Sequence, residues 1–160
     1  MRGGFLHNRV LVDRLEATFQ AMGAQTWRES WVSLGDRCGY VDLIADWRGA
    51  VAACEAELSA DRVYNDISKA LAIRASALLI VTPTRPIADA ISRKLARLHA
   101  GSLRRPGLVI KVLPLGVAVQ RVREQKLFED TVNVSWSTNH QIDRVGGLAM
   151  WPTPSIGDRP

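Results

Sequence analysis

A chain of 160 residues, 47% apolar and 23% charged with a mean hydropathy of −0.02, has the size and composition of one folded domain with its own core. That balance excludes an extended disordered polyelectrolyte and a small scaffold dependent on disulfides. The formal charge is +5, and the whole excess falls in residues 85–105, where Arg85, Arg93, Lys94, Arg97, Arg104 and Arg105 stand against the single acid Asp89. Such a local excess is the footprint of a polyanion partner or, at even weight, an arginine-rich solvated helix face.

In chain order, "VLVDRLEATFQAMG" sets Leu11, Leu15, Phe19 and Met22 at helical spacing and stops at Gly23, which predicts a first helix. "TWRESWVSL" alternates roughly and reads as a half-exposed strand. "GYVDLIADWRGAVAACEAELS" reads as a hairpin turning at Arg48-Gly49, where a glycine allows positive φ. Ser59 is placed to cap a second helix with Asp61 in its first turn, and Val63, Ile67, Ala70 and Leu71 form its apolar side. "SALLIVTPT" is apolar almost throughout, as a central strand covered on both faces would be. Pro86 opens a third helix with Ile87, Ile91, Leu95 and Leu98 inward and Arg93 and Arg97 outward. "LVIKVLPLGVAV" predicts a further strand, bent or at an edge at Pro114. "TVNVSW" is one more candidate strand, and "WPTPSIGDRP" reads as an extended or mobile tail. The expectation is an α/β domain over residues 1–120, a mixed sheet flanked by helices, followed by an extension over 121–160.

No segment reaches the roughly 20 apolar residues of a membrane span, since Arg74 and then Pro83, Arg85 and Pro86 break the most apolar run. The first residues lack the apolar run of a signal peptide, and Cys38 and Cys54 have no CxxC spacing, so free thiols in a cytoplasmic protein are expected.

The hairpin carries the chemistry. Pairing across Arg48-Gly49 sets Trp47 opposite Ala50, Asp46 opposite Val51, and Asp42 opposite Glu55. Glu57 joins Glu55 on one strand face about 7 Å along, and directly opposed Cβ atoms lie about 5 Å apart. Val41, Leu43 and Ala45 with Ala52, Cys54, Ala56 and Leu58 are then expected on the opposite, core face. Three carboxylates so close repel one another unless a cation neutralises them. Mg²⁺ suits such a set, being a hard ion held by one or two carboxylates plus water and phosphate oxygens, and Mn²⁺ would substitute. The scattered histidines His7, His99 and His140 give no zinc spacing. The plainer alternative is an exposed, acid-decorated sheet face.

With that element order and those acids, residues 9–120 resemble the PD-(D/E)XK nuclease superfamily, the restriction-endonuclease-like fold with an α-β-β-β-α-β core. Asp42 matches the acid of the family's second strand, and Glu55-Ala56-Glu57 the acid-X-Lys of the third, with Glu57 where Lys is usual and no proline before Asp42. In some members the lysine has moved to the following helix, for which Lys69 is the candidate; on a helical projection Arg62, Asp66 and Lys69 share one flank. A routine exposed Asp66–Lys69 ion pair is the competing reading. Some members add an acid from the first helix, here Glu16.

The resemblance implies a Mg²⁺-dependent phosphodiesterase, most readily a DNA endonuclease. Asp42, Glu55, Glu57 and Lys69 would be catalytic, Asp42, Glu55 and Glu16 would hold metal, and Arg93, Lys94, Arg97, Arg104 and Arg105 would grip phosphates. No membrane partner is expected, whereas a homodimer would serve cleavage of two strands, with Trp136 and Trp151 either at its interface or buried. The competing functions are a catalytically silent relative that binds nucleic acid or a partner protein, and an α/β enzyme of another kind. For the last there is no P-loop, GxGxxG or GxSxG.

Overall fold

A computed structural model of the chain describes residues 6–99 and 107–128. A π-helical segment, Leu6–Val12, runs into α1, Asp13–Ala21, and three strands follow: β1, Gln25–Ser33; β2, Cys38–Trp47; and β3, Ala50–Ala56. Helix α2, Val63–Ala72, leads to β4, Ala77–Thr82; α3, Arg85–His99, leads to β5, Val109–Pro114; α4 is Leu115–Arg123.

The molecule is α/β, with one five-stranded mixed sheet in the order β1-β2-β3-β4-β5 flanked by helices. β1, β2 and β3 form an antiparallel meander, whereas β4 and β5 run parallel to β3. Every residue of β4 is buried, as its unbroken apolar run requires of a central strand. One face of the sheet packs Leu43, Cys54 and Leu79 against Leu11, Leu15 and Phe19 and against Ala118 and Val122 of α4. The other packs Ala53, Leu78 and Ile80 against Val63 and Ala70 of α2 and Ile91 and Leu95 of α3. Both faces are therefore committed to core, including the one that carries the acids.

The hairpin register is the one read from the sequence: Trp47 pairs with Ala50, Asp46 with Val51, and Leu43 with Cys54. Its turn has φ of +55° at Arg48 and +84° at Gly49, the two positive values that match strand twist in a two-residue loop. The Asp46 carboxylate accepts the Gly49 N–H at 2.8 Å.

The ladder stops one pair short of Asp42 and Glu55, and there the sequence reading needs correction. Strict alternation put Val41 on the same side as Leu43 and Ala45. In the structure Val41 packs in the opposite core layer, with Val63 and Ala70. β1 changes faces at the same level: Arg28 reaches Asp13 of α1, while Val32 joins the layer of Val41. Glu29, between the Arg28–Leu43 and Ser30–Val41 pairs, has φ +45°, and at this level both strands change faces without a change of register.

Two further expectations change. Ser59 does not cap α2; its hydroxyl bonds Asp61 at 3.1 Å, Arg62 occupies the cap position, and the acid in the first turn is Asp66. The strand expected through "LVIKVLPLGVAV" ends at Pro114, which cannot donate to a ladder, and Leu115 starts α4, whose Ala118, Val119 and Val122 are buried at helical spacing. That helix crosses the 120/121 division, and Leu127 beyond it is buried. "TVNVSW", Trp136, Trp151, Arg104 and Arg105 lie outside the described residues.

Among the described residues no helix is long and apolar enough to cross a membrane. Cys38 is exposed, Cys54 is buried, and both are free thiols.

Candidate functional site

Where the β2–β3 ladder ends, ionisable side chains from four segments converge. Asp42 comes from the end of paired β2, Glu55 and Glu57 from the close of β3, Asp66 and Lys69 from α2, and His7 from the π-helical segment. The parallel pairing of β3 with β4 continues beyond Ala56 through Glu57 N–H to the Val81 carbonyl at 2.9 Å, which holds Glu57 against the central strand.

Lys69 is the hub. Its Nζ lies 2.8 Å from Glu55 Oε2 and 2.9 Å from Asp66 Oδ1, and donates to the Tyr40 carbonyl at 3.1 Å. Asp66 and Lys69 are one turn apart on α2, so one flank of the helix presents both to Glu55. The pair is not the exposed surface contact that was the plainer reading: Glu55 is 2% exposed and Asp66 1%. Asp42 Oδ2 accepts the Ala56 N–H at 2.8 Å and lies 3.1 Å from His7 Nε2. The cluster thus grades from a sealed end at Glu55 and Asp66 to a half-exposed end at Asp42 and His7.

The protonation states follow from crowding. Burial pushes the Glu55 carboxyl up to about 9, reinforced by the Asp66 charge and opposed by Lys69. Burial also pushes Glu57 up to about 7, helped by the Asp66 charge and by donation of the Glu57 carboxyl proton to Asp66. Asp66 is raised as well, because burial outweighs Lys69 and the Glu57 hydrogen bond. Asp42 shows the opposite balance: burial raises it, but the His7 and Ala56 hydrogen bonds and the charges of His7 and Lys69 hold it below the ordinary carboxylate range. For Lys69, burial favours the neutral amine, yet Glu55 and Asp66 overcome it and raise its pKa.

The shifts of Glu55 and Lys69 pull in different directions, since one favours a neutral acid and the other an ammonium ion. The contacts resolve this in favour of a charged Lys69, because a single ammonium touches two carboxyl groups and cannot neutralise both. At neutral pH the group therefore retains protons on some of its acids, and it would bind a further cation by releasing them.

The donor chemistry suits a hard divalent ion. Glu55 Oε1 is buried with no hydrogen-bond partner, an orphaned oxygen one residue beyond the last ladder pair, Leu43 with Cys54. Among the described residues no group of three or more His, Cys, Asp or Glu side chains is placed to hold a metal ion. A Mg²⁺ held by Asp42 and Glu55 would take its remaining ligands from water and phosphate, as this ion commonly does.

The other predicted site residues lie elsewhere. Glu16 accepts from Thr26 at 3.1 Å and pairs with Arg28 at 3.6 Å, so its described contacts tie it to β1 and not to the acids. Arg93 and Arg97 are exposed on α3, as anticipated. Lys94 is half-buried, donating to the Ala60 carbonyl at 2.7 Å with its ammonium 5.2 Å from the Tyr64 ring centre. The scatter of His7, His99 and His140 along the chain gives no sign that His7 meets Asp42. The available signal was its position four residues before Leu11, which extends the Leu11-Leu15-Phe19 stripe by one step toward the strand ends.

Comparison with protein-family models, with curated proteins and with solved structures finds no match.

Proposed function

We propose that the chain is a metal-dependent nuclease of the PD-(D/E)XK type that hydrolyses phosphodiester bonds of DNA. The contact of Lys69 Nζ with Glu55 Oε2 at 2.8 Å carries this reading. A lysine absent from the third-strand motif is supplied to the same acid from the next helix. The restriction-endonuclease-like core is supported by an antiparallel β1-β2-β3 meander followed through α2 by β4 parallel to β3.

In this reading Asp42, held ionised by Ala56 N–H and His7, and Glu55, with its spare oxygen, hold the ion. A divalent ion bound there supplies a more acidic water and neutralises charge on the scissile phosphate. Lys69 keeps Glu55 oriented and offers positive charge as the phosphate gains negative charge. Glu57, once its proton is released on metal binding, orients the attacking water in this reading. Arg93 and Arg97 grip phosphates away from the reaction through salt-sensitive contacts that carry little sequence information.

The test is cleavage of plasmid, linear and branched DNA, and of RNA, with Mg²⁺ or Mn²⁺. The wild type cuts one of these substrates, while Asp42→Asn and Glu55→Gln lose about 100-fold or more of the rate with the fold retained. Salt-sensitive binding with no cutting in either metal would replace this reading by that of a silent nucleic-acid-binding relative.

A further inference from the structure

Helix α2 lies between the acid cluster and α3. On one flank Lys69 meets the acids and donates to the Tyr40 carbonyl of β2; on the other the Tyr64 ring centre lies 5.2 Å from the Lys94 ammonium of α3. The sheet order agrees, since β2 and β4 lie on either side of β3. With Val63, Asp66 and Ala70 buried beneath it, α2 turns Asn65, Ser68 and Ala72 to solvent as one stripe along the helix. The stripe has short side chains and no acid.

The basic charge is concentrated in this layer. Residues 58–99, which carry α2, β4 and α3, hold seven basic side chains against three acidic ones, whereas residues 6–57 hold five against eight. Two of the three acids are already matched, because Asp66 is buried beside Lys69 and Asp89 lies 3.8 Å from Arg85. Among the described residues the exposed Arg93 and Arg97, one helical turn apart on α3, have no acidic partner. Arg97 follows Lys94 by three positions and so shares the flank that faces α2. A phosphate backbone lying beside α2 on that flank meets cations alone.

Dimensions decide which polyanion this layer takes. An α-helix with its side chains is about 10–12 Å across, and the major groove of B-form DNA is about 12 Å wide. A duplex seated with that groove over α2 sets one strand's phosphates against Arg93 and Arg97 and carries the other strand to the Lys69 flank. Duplex RNA, whose major groove is deep and narrow, does not admit the helix, and a single strand offers no groove.

We propose that the outer stripe of α2, Asn65, Ser68 and Ala72, docks in the major groove of duplex DNA while Arg93 and Arg97 of α3 hold one backbone. This deepens the nuclease reading and rests on it only for the other strand's phosphate reaching Asp42 and Glu55; the docking itself is testable without cleavage.

The experiment measures binding of the full chain in EDTA to a labelled mixed-sequence DNA duplex, to the matching RNA duplex and to each DNA strand alone. The wild type binds the DNA duplex most tightly, and the complex is displaced by methyl green, which occupies the major groove, but not by the minor-groove ligand distamycin. Ser68→Glu sets a carboxylate against the phosphates and weakens duplex binding by about 10-fold or more with the fold retained. Ala17→Glu, on the exposed side of α1, leaves binding unchanged. Equal affinity for the RNA duplex or a single strand, a complex that methyl green does not displace, or Ser68→Glu binding as tightly as wild type overturns the docking. Methyl-green-sensitive binding without cutting in either metal keeps the docking and removes the nuclease; cutting of duplex DNA with Ser68→Glu fully active does the reverse.

Discussion

The Lys69 ammonium and the Glu55 carboxyl group meet 2.8 Å apart where side-chain exposure has fallen to 12% and 1%, with Asp66 2.9 Å from the same ammonium. Removing the cation from this arrangement takes a hydrogen-bond donor from Glu55 and the counter-charge from buried Asp66. Lys69→Met is therefore expected to destabilise the fold by about 3–5 kcal/mol near neutral pH. The loss shrinks in Lys69→Met/Asp66→Asn, where the charge that Lys69 balances is also absent. Urea unfolding of the two variants beside wild type measures both effects, and equal losses would show that the pair contributes nothing beyond packing.

The pH dependence has a definite sign. Glu57 is raised in the folded chain to about 7 and Glu55 to about 9, so between the unfolded carboxylate value and those limits the native state binds more protons than the unfolded chain. Their stabilising contribution is complete below the unfolded pKa and is lost as pH rises through the folded one. Stability is expected to fall from about pH 4.5 to 7 through Glu57 and on toward 9 through Glu55. Glu57→Gln should flatten the first part of that decline in urea midpoints taken at constant ionic strength. Asp42, held low, acts oppositely and loses its contribution only in stronger acid.

Two neighbours on α3 are expected to respond differently to replacement. Arg93→Ala and Arg97→Ala, on the exposed side, should leave unfolding unchanged, weaken binding to all sequences alike, and each lower the log–log salt slope by about 1. Lys94→Ala removes a bond to the Ala60 carbonyl and a contact with the Tyr64 ring, and should cost about 1 kcal/mol of stability instead. Salt titrations of DNA binding beside urea melts separate the two roles.

The hairpin turn supplies a check on the register that brings the acids together. Gly49 has φ +84°, and a Cβ there would meet no neighbouring atom, so the penalty for a side chain is conformational rather than steric crowding. Gly49→Ala is expected to cost about 1–2 kcal/mol. Arg48→Gly, which relieves a non-glycine residue at φ +55°, should be neutral or stabilising in the same melts.

Residue spacing alone was enough to specify the order of elements, the interior position of β4 and the hairpin register from Trp47–Ala50 to Leu43–Cys54, because helices and strands impose short, regular periods on apolar residues. Lys69 was legible as a candidate for the same reason: one helical turn fixes which residues share a flank. The tertiary structure decided how deeply that flank is buried, since burial depends on α2 closing over the β3 acids rather than on anything local. It also decided the side taken by Val41 and the engagement of His7. At the level of Glu29 both strands change faces where a sequence pattern must assume unbroken alternation, and His7 reaches Asp42 only through the packing of a segment distant in the chain. The conversion of the strand expected through "LVIKVLPLGVAV" into β5 followed by α4 turned on Pro114, whose effect on either side is set by what the flanking residues can pack against.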